Sequence, residues 1–270
     1  MLINSYRFQS AATPLLLDLY PGAAAAYSLR SLRTAYGGPV VRVRRSSDST
    51  EQDFTATQVT DGTLTTFCGA GNGFVRTWYD QSENGRHLGQ TATASQLSIV
   101  TSGALESDGG LPAIRSISGL KTLGRAWGIA PTNPVLFLVH KITAIYAFNL
   151  SGHWVKIGNV AGADNHFAPG FFSDYFNAAR PQYTIAGNLL NTRYLEQFKY
   201  EGGAGVIALN NSTPASNTFS LATPVNLTVG GSASAFPSTG FIQELIIYST
   251  GTGVDATGVQ SNINAHYAIY

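Results

Sequence analysis

Two groups of side chains in this sequence have the types and spacing that handle sugars. In Trp78-Tyr79-Asp80-Gln81-Ser82-Glu83-Asn84-Gly85-Arg86, two aromatic rings adjoin carboxylates, amides and a guanidinium. Rings stack on the C–H faces of sugars, and planar polar groups bond their hydroxyls. Trp78, Tyr79, Asp80, Gln81, Asn84 and Arg86 are therefore ligand-binding candidates. The same residues admit a structural reading. Asp80 can accept backbone N–H groups of its own loop, and Trp78 can be core. A second polar and aromatic group comprises His153-Trp154 and Asp164-Asn165-His166-Phe167, and His153 and Trp154 join the candidates. Two histidines and an aspartate can hold a metal, but their spacing fits no metal motif, so no metal site is assigned. No dense acidic loop of the calcium type is present.

Hydrolysis of a glycoside makes a different demand. A retaining enzyme needs two carboxylates about 5 Å apart, one as nucleophile and one as general acid. Glu196 and Glu201 fall on strand-like segments, but spacing alone does not bring them together. No catalytic residue is assigned on that basis. The only cysteine, Cys68, sits in an apolar stretch and reads as a small core residue. Gly69-Ala70-Gly71-Asn72-Gly73 lacks the Gly-Lys-Ser/Thr of a phosphate loop and reads as a hairpin-type turn. No cofactor is implied.

These residues need a scaffold, and the pattern around them is mostly β. Alternation in Val40-Val41-Arg42-Val43-Arg44 puts Arg42 and Arg44 on one strand face, read as a solvated outer face. Further strands are expected at 74–79, 135–142, 145–150, 153–157, 194–200, 205–210, 218–221, 225–229 and 241–248. A helix is expected over 23–36, where Ala25, Leu29, Leu32 and Tyr36 share a face before Gly37-Gly38-Pro39. A last helix starts after Asp255 as N-cap, with Val259, Ile263, His266, Tyr267 and Tyr270 on one face. Many strands with a short helix near each end predict a two-sheet antiparallel sandwich of the concanavalin A-like (jelly-roll) type. Residues 1–20 read as an arm, apolar at Leu15-Leu16-Leu17, that packs on its own domain or on a neighbour. Residues 21–270 read as one sandwich domain.

Composition narrows the partners. Only 11% of residues are charged and the net charge is +1, which gives no basic patch for nucleic acid. The N-terminus lacks the apolar core and cleavage site of a signal peptide. No apolar run approaches the roughly 18 residues of a membrane span, so no membrane insertion is expected.

Three blocks together resemble a known family. They are Ala25–Arg30 with Gly37–Asp48, Phe74–Gly85, and Gly240–Tyr248 with Asn262–Tyr267. The chain resembles the catalytic domain of α-L-arabinofuranosidase B, a concanavalin A-like sandwich, and also a group of phage-encoded proteins carrying the same blocks. The enzymes carry a Gly-Gly-Asp stretch that supplies one catalytic acid. The matching stretch here is Gly230-Gly231-Ser232, and serine cannot act as a general acid near neutral pH. The resemblance, the low charge and the missing export signal lead to one expectation. It is a virion-located phage structural protein: a decoration, fibre or receptor-binding component. It would use a lectin-like domain for glycan or host-surface attachment, contact other virion proteins through residues 1–20, and form a homo-oligomer. The alternatives are a glycoside hydrolase of the arabinofuranosidase type and a purely structural virion protein without ligand.

Overall fold

The computed structural model describes residues 13–117, 121–145, 155–158, 171–172, 182–183, 191–210, 212–218, 220–221, 226–230 and 238–270. In chain order the strands are β1 (Ala25–Ser28), β2 (Val41–Arg45), β3 (Glu51–Phe54), β4 (Gly73–Trp78), β5 (Leu88–Gly89), β6 (Ser98–Thr101), β7 (Ala104–Leu105), β8 (Ser107–Asp108), β9 (Leu111–Pro112) and β10 (Ile114–Ser116). They continue with β11 (Thr122–Ala126), β12 (Val135–Ile145), β13 (Val155–Gly158), β14 (Phe171–Phe172), β15 (Gln182–Tyr183), β16 (Arg193–Glu201), β17 (Ala204–Leu209), β18 (Ala215–Thr218), β19 (Asn226–Gly230) and β20 (Ser238–Tyr248). Four helices accompany them: α1 (Leu16–Leu19), α2 (Ala56–Thr60), α3 (Thr63–Cys68) and α4 (Ala256–Tyr267).

The strands build two antiparallel layers. One runs β10–β20–β12–β16–β17–β18, with β1 also on β20. The other runs β3–β2–β4–β5–β11–β19–β13. Strand β6 pairs with both β4 and β10, so the ladder turns from one layer into the other and closes one side of the sandwich. The mostly-β sandwich expected from the alternating pattern is the observed architecture.

The central strands explain the layering. Along β12, Leu136 and Leu138 join the core between the sheets, while Val135, Phe137 and Val139 face the helices. Along β20, Leu245 and Ile247 point inward, and Ile246 and Tyr248 point outward. Strand side chains alternate, so runs apolar on both phases must be covered twice. Leu16 and Leu17 of α1 and Val259, Ile263 and Tyr267 of α4 supply the outer cover. The leucines of the supposed arm are thus packed on their own domain, 1% and 4% exposed. Residues 1–12 of the arm lie outside the described residues.

Asp255 caps α4 as read, accepting from the Gly258 N–H at 2.9 Å. Thr55 and Gln58 form a capping box at α2. The helix expected over 23–36 is absent. Residues 25–28 form β1, all four buried, and the chain then bends at 29–30 and turns around 34–35. The glycine-rich stretch 69–72 joins α3 to β4 instead of closing a hairpin. A β-bulge opposite Val139/His140 interrupts β20 between Ile242 and Glu244, which turns the phase of the strand and aims Glu244 at the helix layer.

Candidate functional site

The Trp78–Arg86 loop is occupied by the fold. Trp78 is fully buried, its ring 5.6 Å from that of Tyr27. Asp80 is 1% exposed. Its Oδ1 accepts the N–H groups of Ala26 and Ser82, and its Oδ2 accepts the Arg86 N–H and the Ser82 hydroxyl, all at 2.9 Å. Gln81 takes the Leu32 N–H at 2.8 Å and donates to the carbonyls of Ser28 and Arg30. Asn84 donates to the carbonyls of Ala23 and Ala24, and Arg86 donates to Ala24. The block is a clamp on both ends of β1, whose backbone it satisfies.

The ligand-binding reading of Trp78, Asp80 and Gln81 is corrected accordingly: these side chains are buried and their polar groups face protein. Asn84 and Arg86 reach the surface but hold β1 with their nitrogens. Tyr79 is half-buried, and its hydroxyl donates to Asp53 Oδ1 at 2.8 Å. Burial, then the Asp53 contact, pushes its phenol up to about 12. His153 and Trp154 lie outside the described residues, as do Gly231 and Ser232.

Glu244 is the second buried knot. It is fully enclosed and sits under α4. Arg30 grips it with Nε at 2.7 Å and Nη2 at 2.9 Å, the Ser28 hydroxyl donates at 2.9 Å, and the Tyr267 hydroxyl at 3.2 Å. Burial opposes the Arg30 charge, but the Glu244 carboxylate outweighs it and holds Arg30 protonated. Burial, then Glu244, raises the Tyr267 phenol well above its ordinary value. This carboxylate ties β1, β20 and α4 together and has no free oxygen for chemistry.

A different carboxylate faces the space between the sheets. Glu196 pairs with Leu138 across β16 and β12, and Leu138, Phe198 and Tyr200 all belong to the inner core. Directly opposed residues point the same way, so Glu196 points inward. His140, two residues beyond Leu138, shares that face. His140 Nε2 lies 3.3 Å from Glu196 Oε2, with exposures of 4% and 1%. The contact is close but not aligned as a hydrogen bond: both imidazole nitrogens and Glu196 Oε1 are buried without a hydrogen-bond partner. Buried polar groups are normally satisfied, and an exception calls for an explanation such as strain, a bound water or ion, or a catalytic role.

Five carboxylates are buried among the described residues: Asp80, Glu106, Asp108, Glu196 and Glu244. Asp80 and Glu244 are held as described above. Glu106 takes the Thr101 hydroxyl and Arg115, and Asp108 takes Lys141. Of these five, only Glu196 keeps a fully buried oxygen without a hydrogen-bond partner. The sequence reading located Glu196 on a strand but overlooked His140. The available signal for His140 was a single ionisable residue at an inward position in the apolar run Val135–Ile142.

The architecture is shared with solved structures of other proteins. The family model described as the catalytic region of α-L-arabinofuranosidase B matches residues 18–115. A mutant of a GH54 α-L-arabinofuranosidase, soaked with 4-nitrophenyl α-L-arabinofuranoside, superposes with a TM-score of 0.62 at 14% identity. A GH54 α-L-arabinofuranosidase soaked with a cyclic sulfate inhibitor gives 0.60 at 16%. An arabinofuranosidase complexed with arabinofuranosyl-α-1,2-xylobiose gives 0.58 at 16%. Each comparison covers 90% of this chain and 62% of the other, so the chain spans under two thirds of those enzymes. A search of curated sequences returned no match.

The chain therefore resembles the arabinofuranosidase B catalytic domain in its matched segment and in its fold. This overturns the expectation of a phage virion component with a lectin-like domain. The matched family and these three structures are arabinofuranosidases, and they favour the hydrolase alternative.

Proposed function

We propose that this domain is a glycoside hydrolase of the arabinofuranosidase type, with Glu196 as one of its two carboxylates. The observation that carries the reading is the inward-facing Glu196, buried beside His140 with one oxygen unengaged. The family match and the shared sandwich support the reaction class. A carboxylate acting as nucleophile must be ionised, positioned and free of competing donors. Glu244 and Asp80 fail the last condition.

The fifteen acidic residues of the chain include Asp164 and Asp174, which lie outside the described residues. Every other acid except Glu196 is held by a backbone, hydroxyl or cationic partner. Asp164 and Asp174 are therefore the residues to test as the second carboxylate. His140 sits where it can orient Glu196 and stabilise its charge.

The assay is release of 4-nitrophenol from 4-nitrophenyl α-L-arabinofuranoside. Wild-type protein should turn over, and Glu196→Gln should lose at least about a hundredfold, the lower end for a positioned catalytic group. Asp164→Asn or Asp174→Asn should lose a similar factor. A folded Glu196→Gln with full activity would refute the role of Glu196. Wild-type inactivity on aryl and polymeric arabinofuranosides would refute the reaction class.

A further inference from the structure

Between α2 and the end of α4, beside the Arg30–Glu244 knot, lies a cavity of about 260 Å³. Arg30 and His266 form one wall, and Ser31 and Thr57 bring hydroxyls to another. Leu111 and Pro112 give an apolar wall. Neither Glu196 nor His140 is among the residues that line it.

The charge on this wall decides what it can hold. Arg30 is matched by both oxygens of Glu244, so it offers its remaining edge as a neutralised donor; 17% of its side chain is exposed. Burial, then Arg30, disfavours the His266 cation and lowers its pKa below the ordinary 6.5, with Glu244 opposing. An anion would gain little net attraction and would bring its charge toward Glu244. A neutral polyol fits better. Its hydroxyls both donate and accept, as do the hydroxyls of Ser31 and Thr57, while Arg30 donates and the neutral imidazole does either. A ring's C–H face can lie on Leu111 and Pro112. The volume falls just below the roughly 300–1,000 Å³ of clefts for larger small molecules, which suits one ring and not a chain.

We propose that this cavity is a second carbohydrate site that binds one neutral sugar residue, apart from Glu196. The proposal does not require Glu196 to be catalytic, because it rests on the cavity alone.

Binding is measured by titration calorimetry with methyl α-L-arabinofuranoside, D-xylose and, as the anionic counterpart, D-glucuronate. The protein is the wild type, Glu196→Gln, Thr57→Trp and Ser31→Trp. Thr57 and Ser31 are exposed, so the tryptophans obstruct the cavity without entering the core, and circular dichroism confirms folding. The expected result is saturable binding of a neutral sugar by wild type and Glu196→Gln alike. Both tryptophan variants should weaken it roughly tenfold or more, about 1.4 kcal/mol. Three results overturn the proposal: no neutral-sugar binding by the wild type, preference for glucuronate, or binding unaffected by both tryptophans. Loss of binding in Glu196→Gln also overturns it, by moving the sugar to the inner face. Failure of hydrolysis with retained binding overturns only the catalytic reading.

Discussion

Removing the Asp80 carboxylate tests whether the Trp78–Arg86 block is a clamp or a sugar platform. In Asp80→Ala, four donors lose their acceptor: the backbone N–H groups of Ala26, Ser82 and Arg86, and the Ser82 hydroxyl. The Ala26 bond is fully buried, and the other three are partly buried. A buried orphan donor costs about 1–3 kcal/mol, and each bond to a charged acceptor contributes about 1.5–3 kcal/mol. Water partly replaces the three outer bonds, so the sum is about 4 kcal/mol and not the full total. That is a large share of the roughly 5–15 kcal/mol that holds a domain together. Asp80→Asn keeps an oxygen for two donors but turns an amide N–H toward the other two, and should lose about half as much. Urea unfolding at constant m measures both. A loss below about 1 kcal/mol in Asp80→Ala, combined with loss of sugar binding, would refute the clamp and restore the ligand reading.

Glu244→Ala leaves the Arg30 guanidinium without its partner and should destabilise by about 3–5 kcal/mol, read as a lower thermal midpoint; an unchanged midpoint would count against the knot. Burial raises the Cys68 thiol to about 11, and its side chain is 4% exposed, so Ellman's reagent at pH 8 should leave it untouched until denaturant is added. The Tyr79 phenol, raised from its ordinary value of about 10 to about 12, favours the folded state while protonated. That contribution is whole below pH 10 and disappears as pH climbs through 12, so Tyr79→Phe should flatten the fall of thermal stability over that window. A Cβ on Gly251 would collide with the Asn133 carbonyl oxygen, so Gly251→Ala should destabilise by about 1–3 kcal/mol in urea unfolding.

The strands that alternate were readable in the sequence, and those buried on both faces were readable only as long apolar runs. Strand β2 shows its phase: Val41 and Val43 are enclosed while the Arg42 side chain is 41% exposed against Glu51. Strand β1 has no phase to read. Ala25 and Tyr27 enter one core and Ala26 the other, and its alanines favour helix locally. Tertiary pairing with β20 overrides that preference.

The candidate site was hidden for a related reason. Leu138 meets Glu196 through pairing across 58 positions, and no local pattern encodes that register. The bulge in β20 shifts Glu244 out of simple alternation, so its enclosure under α4 was equally unreadable. Asp255 was legible because capping acts within one turn.

The pairing of β1 with β20 also sets the order in which the molecule can be finished. Ser28 lies opposite Glu244, and Ala25 opposite Ile247. During synthesis at about 5–20 residues per second, the early strand waits roughly 10–40 s for its partner to leave the ribosome. Until then both faces of Ala25–Ser28 lack their final cover, and Arg30 lacks its counter-charge. The nascent chain is therefore exposed to misassociation until β20 emerges, and the Arg30–Glu244 contact then latches β1 in place.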